Sequence, residues 1–110
     1  MVIHKKLAAG KWFTLTLTGQ LANIGSEVER AISWLEKGDK EQSDKALERA
    51  IELINLTAQD NLWKGCRLRE ILRMKEILCD VFWGDNVYNT SFEFLRKYFL
   101  YFGILARAEK

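Results

Sequence analysis

The side chains that most often perform acid–base and metal chemistry are scarce in this sequence. His4 is the single histidine. A histidine-based acid–base pair or a Glu-x-x-His di-metal bundle would therefore lack its second histidine, and no Cys–His nucleophile can be proposed within the bundle, because His4 precedes it. Cys66 and Cys79 are the two thiols. Thirteen residues apart on one helix, they stand roughly 20 Å from each other. A disulfide tolerates only about 7 Å between Cα atoms, so the two read as inert thiols of a reducing compartment. Two distant thiols and scattered carboxylates do not make a zinc site. Neither Gly-x-x-x-x-Gly-Lys-Ser/Thr nor Gly-x-Gly-x-x-Gly occurs, so no phosphate loop of either kind is present. The expectation is a protein with no catalytic residue, no metal and no cofactor.

Carboxylates and basic residues remain. Glu27, Glu29 and Asp80 could pair with Arg30, Arg49, Arg69 or Arg73. Such a pair commonly ties helices together, and no second catalytic group stands beside it to make an acid–base site. Lys64, Arg67, Arg69, Arg73 and Lys75 fall within twelve residues, opposed by Glu70 and Glu76. They are the candidate nucleic-acid-binding residues, because clustered cations neutralise phosphates. The same cluster also reads as a solvated, self-compensating helix face. Trp63 beside it could stack on a base or fold onto the core. The formal net charge of +2 adds no argument for nucleic acid from composition.

Four helices must position these groups. Hydrophobic residues make up 48% of the 110-residue chain, enough for one packed domain. Leu17, Leu21, Ile24, Val28, Ala31 or Ile32, and Leu35 are spaced by threes and fours, which predicts a helix over about 17–37. Thr16 or Thr18 can cap it, and Gly38 can end it. Asp39, with Gln42 three residues later, opens a second helix whose apolar face is Ala46, Leu47, Ala50, Ile51, Ile54 and Leu56. A third runs over about 66–83, its buried side Leu68, Ile71, Leu72, Leu78, Val81 and Phe82. Thr90 and Glu93 form a Thr-x-x-Glu capping box for a fourth, running to about residue 108. Residues 83–90, rich in aromatics and turn formers, read either as a recognition loop or as a turn. Gly25 inside the first helix costs about 1 kcal/mol against alanine. Close approach of a neighbouring helix would explain it, and so would a small pocket.

The fourth helix differs from the others. Apolar residues go nearly all the way round it, whereas a surface helix carries a stripe about 100° wide. It must be covered on more than one side. Phe92, Phe94, Tyr98, Phe99, Tyr101 and Phe102 are therefore the candidate oligomer interface. No long apolar run follows the basic residues of the start, and no run approaches the ~18 residues of a membrane span, so a cytoplasmic protein is expected.

A resemblance supports this reading. Over Lys11-Trp12-Phe13-Thr14-Leu15-Thr16-Leu17-Thr18-Gly19-Gln20-Leu21-Ala22-Asn23-Ile24-Gly25-Ser26-Glu27-Val28-Glu29-Arg30-Ala31, and again at Ala46-Leu47-Glu48-Arg49-Ala50 and Gly84-Asp85-Asn86, the chain resembles a group of short, uncharacterised bacterial helical-bundle proteins. In size and architecture it is similar to the four-helix bundles related to the rRNA intervening-sequence proteins. These include the accessory proteins of diversity-generating retroelements, which form oligomers and work with a reverse transcriptase and RNA. It is also similar to HEPN-type helical proteins, but their Arg-then-His ribonuclease motif is missing, which implies no such nuclease activity. The expected fold is all-α: a four-helix up-down bundle over 16–110 with a short N-terminal arm, 1–15. The expected function is a non-enzymatic, self-associating binding or accessory module with RNA or protein as a further partner. Two alternatives stand beside it. One is a ligand-binding or enzymatic bundle with an interhelical pocket near Gly25 and the aromatics of the fourth helix, lined by Glu27, Arg30 or Asp80. The other is a HEPN-like antitoxin or nucleotidyltransferase partner.

Overall fold

A computed structural model describes residues 11–59 and 65–108. These form a short 3-10 turn, Lys11–Thr14, and four α-helices: α1 (Leu17–Glu36), α2 (Lys40–Gln59), α3 (Cys66–Trp83) and α4 (Phe92–Ala108). The architecture is the all-α four-helix bundle expected from the periodicities. His4, Trp63 and Lys64 lie outside the described residues.

The helix ends follow local chemistry. Thr16 caps α1, its Oγ1 accepting from the Gly19 amide at 3.1 Å. At the other end the Gly38 and Asp39 amides donate back to the Leu35 and Trp34 carbonyls, and Gly38 takes φ +83. That left-handed conformation is what the closing motif requires and what glycine supplies at least cost. Asp39 then turns the chain straight into α2, its Oδ1 accepting from the Gln42 amide at 3.0 Å. A three-residue connection makes α1 and α2 an antiparallel hairpin.

Two details depart from the sequence expectation. The cap of α4 is Ser91, not Thr90: the Phe94 amide donates to Ser91 Oγ at 3.0 Å. Thr90 is clamped instead by Asn86, whose side chain bonds both its amide and its carbonyl. Leu72, expected on the buried side of α3, is exposed, while Met74 is buried. The buried line of α3 is Ile71, Met74 and Leu78, a clean 3–4 spacing that Leu72 does not share.

Helix α1 is central. It packs against α2 on one side and α4 on the other, and α3 packs against α2. The core is built mainly by Leu21, Ile24, Val28 and Ile32 of α1 with Ala46, Leu47, Ala50 and Ile54 of α2. Helices α3 and α4 meet at their connecting loop, where Phe82 stacks on Phe92 with ring centroids 5.5 Å apart. Beyond that point a groove of about 270 Å³ separates them, lined by Arg73, Met74, Ile77, Phe94 and Tyr98.

Candidate interaction surface

Most of the carboxylates singled out in the sequence are committed to holding the fold. The Glu27 side chain is only 10% exposed. One of its oxygens accepts from Arg30 at 2.6 Å and the other from Arg49 of α2 at 2.7 Å. This is the helix-tying pair expected of such residues. Removing one partner should cost more than removing both, because a buried charge then loses a ligand. Arg49→Met is expected to lose about 1–2 kcal/mol, moderated by Arg30, which stays in place. Glu27→Met combined with Arg49→Met should recover most of that loss. Urea melts of the three variants, closed into a double-mutant cycle, check this. Strictly additive losses would mean that the pair is not coupled.

Asp80 organises the α3–α4 loop rather than pairing with an arginine. Its two oxygens accept from the Val87 and Tyr88 amides at 2.8 and 3.0 Å. Asn86 and Asn89 both take φ +52, a conformation asparagine tolerates better than most residues. Residues 84–90 therefore form a tied turn. Glu76 accepts from the Tyr88 hydroxyl at 2.5 Å, and that bond pushes the tyrosine's pKa above its usual value.

A third set of charges bridges α1 and α4. Arg96 donates through Nε to Glu29 and through Nη2 to Glu36, each at 2.8 Å. The Arg96 hydrogen bonds hold the Glu36 carboxyl below the usual range. The groove this bridge spans has a volume of about 520 Å³, with Gly25, Arg30, Phe99 and Gly103 among its lining residues. Gly25 marks a close approach of the two helices there. A methyl group built on it would stand 2.6 Å from Phe99 Cβ. Of the residues expected at an interhelical pocket, Gly25 and Arg30 line this groove, while Glu27 and Asp80 do not.

Cys66 and Cys79 both lie on α3. Burial pushes the Cys79 thiol up, which disfavours the reactive thiolate. Among the described residues no group of three or more His, Cys, Asp or Glu side chains is placed to hold a metal ion.

In the basic cluster, Arg67, Arg69 and Arg73 are exposed and Lys75 is half-buried. Arg69 and Arg73 make no ion pair among the described residues. They flank a shallow surface depression with Leu72, Glu76 and Tyr88.

The aromatics of α4 divide into inner and outer sets. Phe99 is buried against Gly25, and Leu95 is buried beside it. Phe92, Tyr98 and Phe102 are half-buried, and Tyr98 sits edge-on to both Phe99 and Phe102. Phe94 and Tyr101 face outward, 56% and 59% exposed. Leu100 and Ile104, which a reading by aromatics overlooks, join them at 57% and 52%. The signal for these two was their spacing: Leu100 and Ile104 stand four apart, on the side of the helix away from Leu95 and Phe102. At roughly 100 Å² each, the four side chains expose on the order of 400 Å² of mainly apolar surface. That is as large as the largest patch on a typical monomer.

No protein family, curated protein or solved structure matches the chain. Among the described residues no helix is long and apolar enough to cross a membrane. The fold and surface together define an all-α four-helix bundle with one outward apolar helix face.

Proposed function

We propose that this chain is a non-enzymatic helical-bundle module that self-associates through the outward face of α4 and acts as a binding or accessory protein. The observation that carries the reading is the set of Phe94, Leu100, Tyr101 and Ile104, all more than half exposed on one helix. Leaving that much apolar surface in water is unfavourable by about 25 cal/mol for each Å² that could be buried. A closed homo-oligomer is the commonest way to cover such a face. The commitment of Glu27 and Asp80 to internal bonds supports a binding role over a catalytic one.

A second reading, contact with RNA or with a nucleic-acid enzyme, is favoured by Arg69 and Arg73. Their guanidinium groups are exposed and form no ion pair among the described residues. Size-exclusion chromatography with light scattering, at low and high salt, tests both. The expected result is a discrete oligomer at both salt concentrations, since burial of apolar surface is not screened. A monomer at all concentrations overturns self-association. Co-eluting absorbance at 260 nm that disappears at high salt would support the RNA reading, and its absence at low salt counts against it.

A further inference from the structure

Helix α4 presents a second pattern on its outward side. Glu93, Lys97, Leu100, Ile104 and Arg107 follow one another at intervals of four, three, four and three. That is the spacing of a coiled-coil seam. Each is exposed, although Leu100 and Arg107 also border grooves against α1, so the seam is open to a partner. Phe94 and Tyr101 flank it along one edge.

The charges along the seam have a symmetry. Glu93 and Arg107 each lie seven residues from Leu100, on the same line of the helix and about 10 Å to either side. We infer that a second copy of this chain docks on α4 antiparallel, about a two-fold axis at Leu100, with Glu93 of each copy facing Arg107 of the other. This rests on the self-association reading and gives it a geometry.

Charge complementarity selects this arrangement over the parallel one. In parallel register Glu93 would meet Glu93, Lys97 would meet Lys97 and Arg107 would meet Arg107, which places like charges opposite one another. In the antiparallel register the two ends of the seam form two reciprocal ion pairs. The Leu100 side chains meet at the centre. Ile104 of each copy lies against the aliphatic stem of Lys97 of the other, whose ammonium keeps its bond to Glu93 at 3.0 Å within its own chain. The opposed helix dipoles add in the same sense. The area is also adequate. A standard interface takes about 800 Å² per partner; the four apolar side chains supply on the order of half of that, and the charged residues of the seam with the rims of the α1–α4 groove lie around them.

Cysteine scanning and charge reversal in the full-length chain test this. Leu100→Cys should form a disulfide-linked dimer on mild oxidation, because a residue on the two-fold axis meets its own copy. Glu93→Cys should not, because antiparallel pairing holds the two copies of that position about 20 Å apart. The wild-type chain, with Cys66 and Cys79, supplies the background. Glu93→Arg should raise the dimer dissociation constant about tenfold, and adding Arg107→Glu should restore it. All these positions are exposed, and circular dichroism confirms that each variant keeps its helices. A wild-type monomer overturns the self-association reading and this geometry with it. A dimer that links through neither position, and ignores the charge swap, leaves self-association standing and overturns the α4 geometry. Linkage at both positions overturns the antiparallel register in favour of the parallel one.

Discussion

Trp12→Ala should destabilise the chain by about 3–5 kcal/mol, the range for deleting a large buried aromatic. Trp12 is 1% exposed although it precedes the first helix by five residues. Three bonds fix it. Its Nε1 donates to Thr57 Oγ1 at 3.0 Å, and that hydroxyl donates on to the Leu53 carbonyl of α2 at 3.0 Å. Its carbonyl accepts from the buried Gln20 side chain of α1 at 3.1 Å. The 3-10 turn is thereby pinned to both helices of the central hairpin. Removing the indole opens a cavity between them and leaves Thr57 without its donor. For a domain this size the loss corresponds to a melting temperature lower by on the order of 15–25 °C. Trp12→Phe should fall between, because the ring still fills most of the space while the bond is lost. Trp34→Ala is the control. Trp34 lies at the surface, 36% exposed, with the ammonium of Lys37 5.1 Å from its ring, and its loss should cost about 1 kcal/mol. Equal effects at Trp12 and Trp34 would show that the turn is not part of the cooperative unit.

This turn also marks where sequence reasoning stops. Helices α1 and α2 were legible because three signals agreed: apolar spacing, the caps at Thr16 and Asp39, and Gly38 between them. A four-residue turn is too short to show a period, so Trp12 read as part of an arm. The evidence that it belongs to the core lies in Thr57, forty-five residues on. Asp80 failed to reveal its role for a related reason. Its partners are backbone amides of its own loop, and a sequence displays side chains, not the direction of amides. Along α4 the excess of apolar residues was plain, but the choice of which ones face outward was not. That choice depends on the rotation of α4 about its axis, which the contact between Gly25 and Phe99 sets. Once Phe99 is turned inward, Leu100 and Tyr101 must turn out, and a list built from aromatics alone includes one core residue and omits two surface ones. In the basic cluster, Glu76 looked like a counter-charge for Arg73. Its carboxylate is instead occupied by Tyr88, which a one-dimensional charge pattern does not contain.

That same contact gives the second large effect, and its sign runs against helix propensity. Gly25 and Gly103 both lie inside helices, α1 and α4, where alanine is favoured over glycine by about 0.8–1 kcal/mol. At Gly103 a new Cβ would find nothing within 4 Å, so Gly103→Ala should stabilise the chain by about 0.5–1 kcal/mol. At Gly25 the new Cβ would lie 2.6 Å from Phe99 Cβ, 3.0 Å from its Cγ and 3.1 Å from its Cδ1. The nearest of these atoms is attached to the α4 backbone and cannot rotate away. Helix α4 must retreat instead, which loosens the packing of Leu95 and Phe99 together. Overpacking of this kind costs about 1–3 kcal/mol. Gly25→Ala should therefore lose up to about 2 kcal/mol net despite its better propensity, and Gly25→Val about 3 kcal/mol. Trimming the ring should not rescue it. Phe99→Ala keeps the Cβ at 2.6 Å, so the Gly25→Ala, Phe99→Ala double variant should be less stable than Phe99→Ala alone. Urea midpoints of the two alanine variants, measured side by side, decide the point. Opposite shifts show that α4 is seated on α1 at Gly25, which is the contact that turns Leu100 and Tyr101 to the outside. Stabilisation at both positions would mean that α4 stands off from α1 and that its outward face is not the one described.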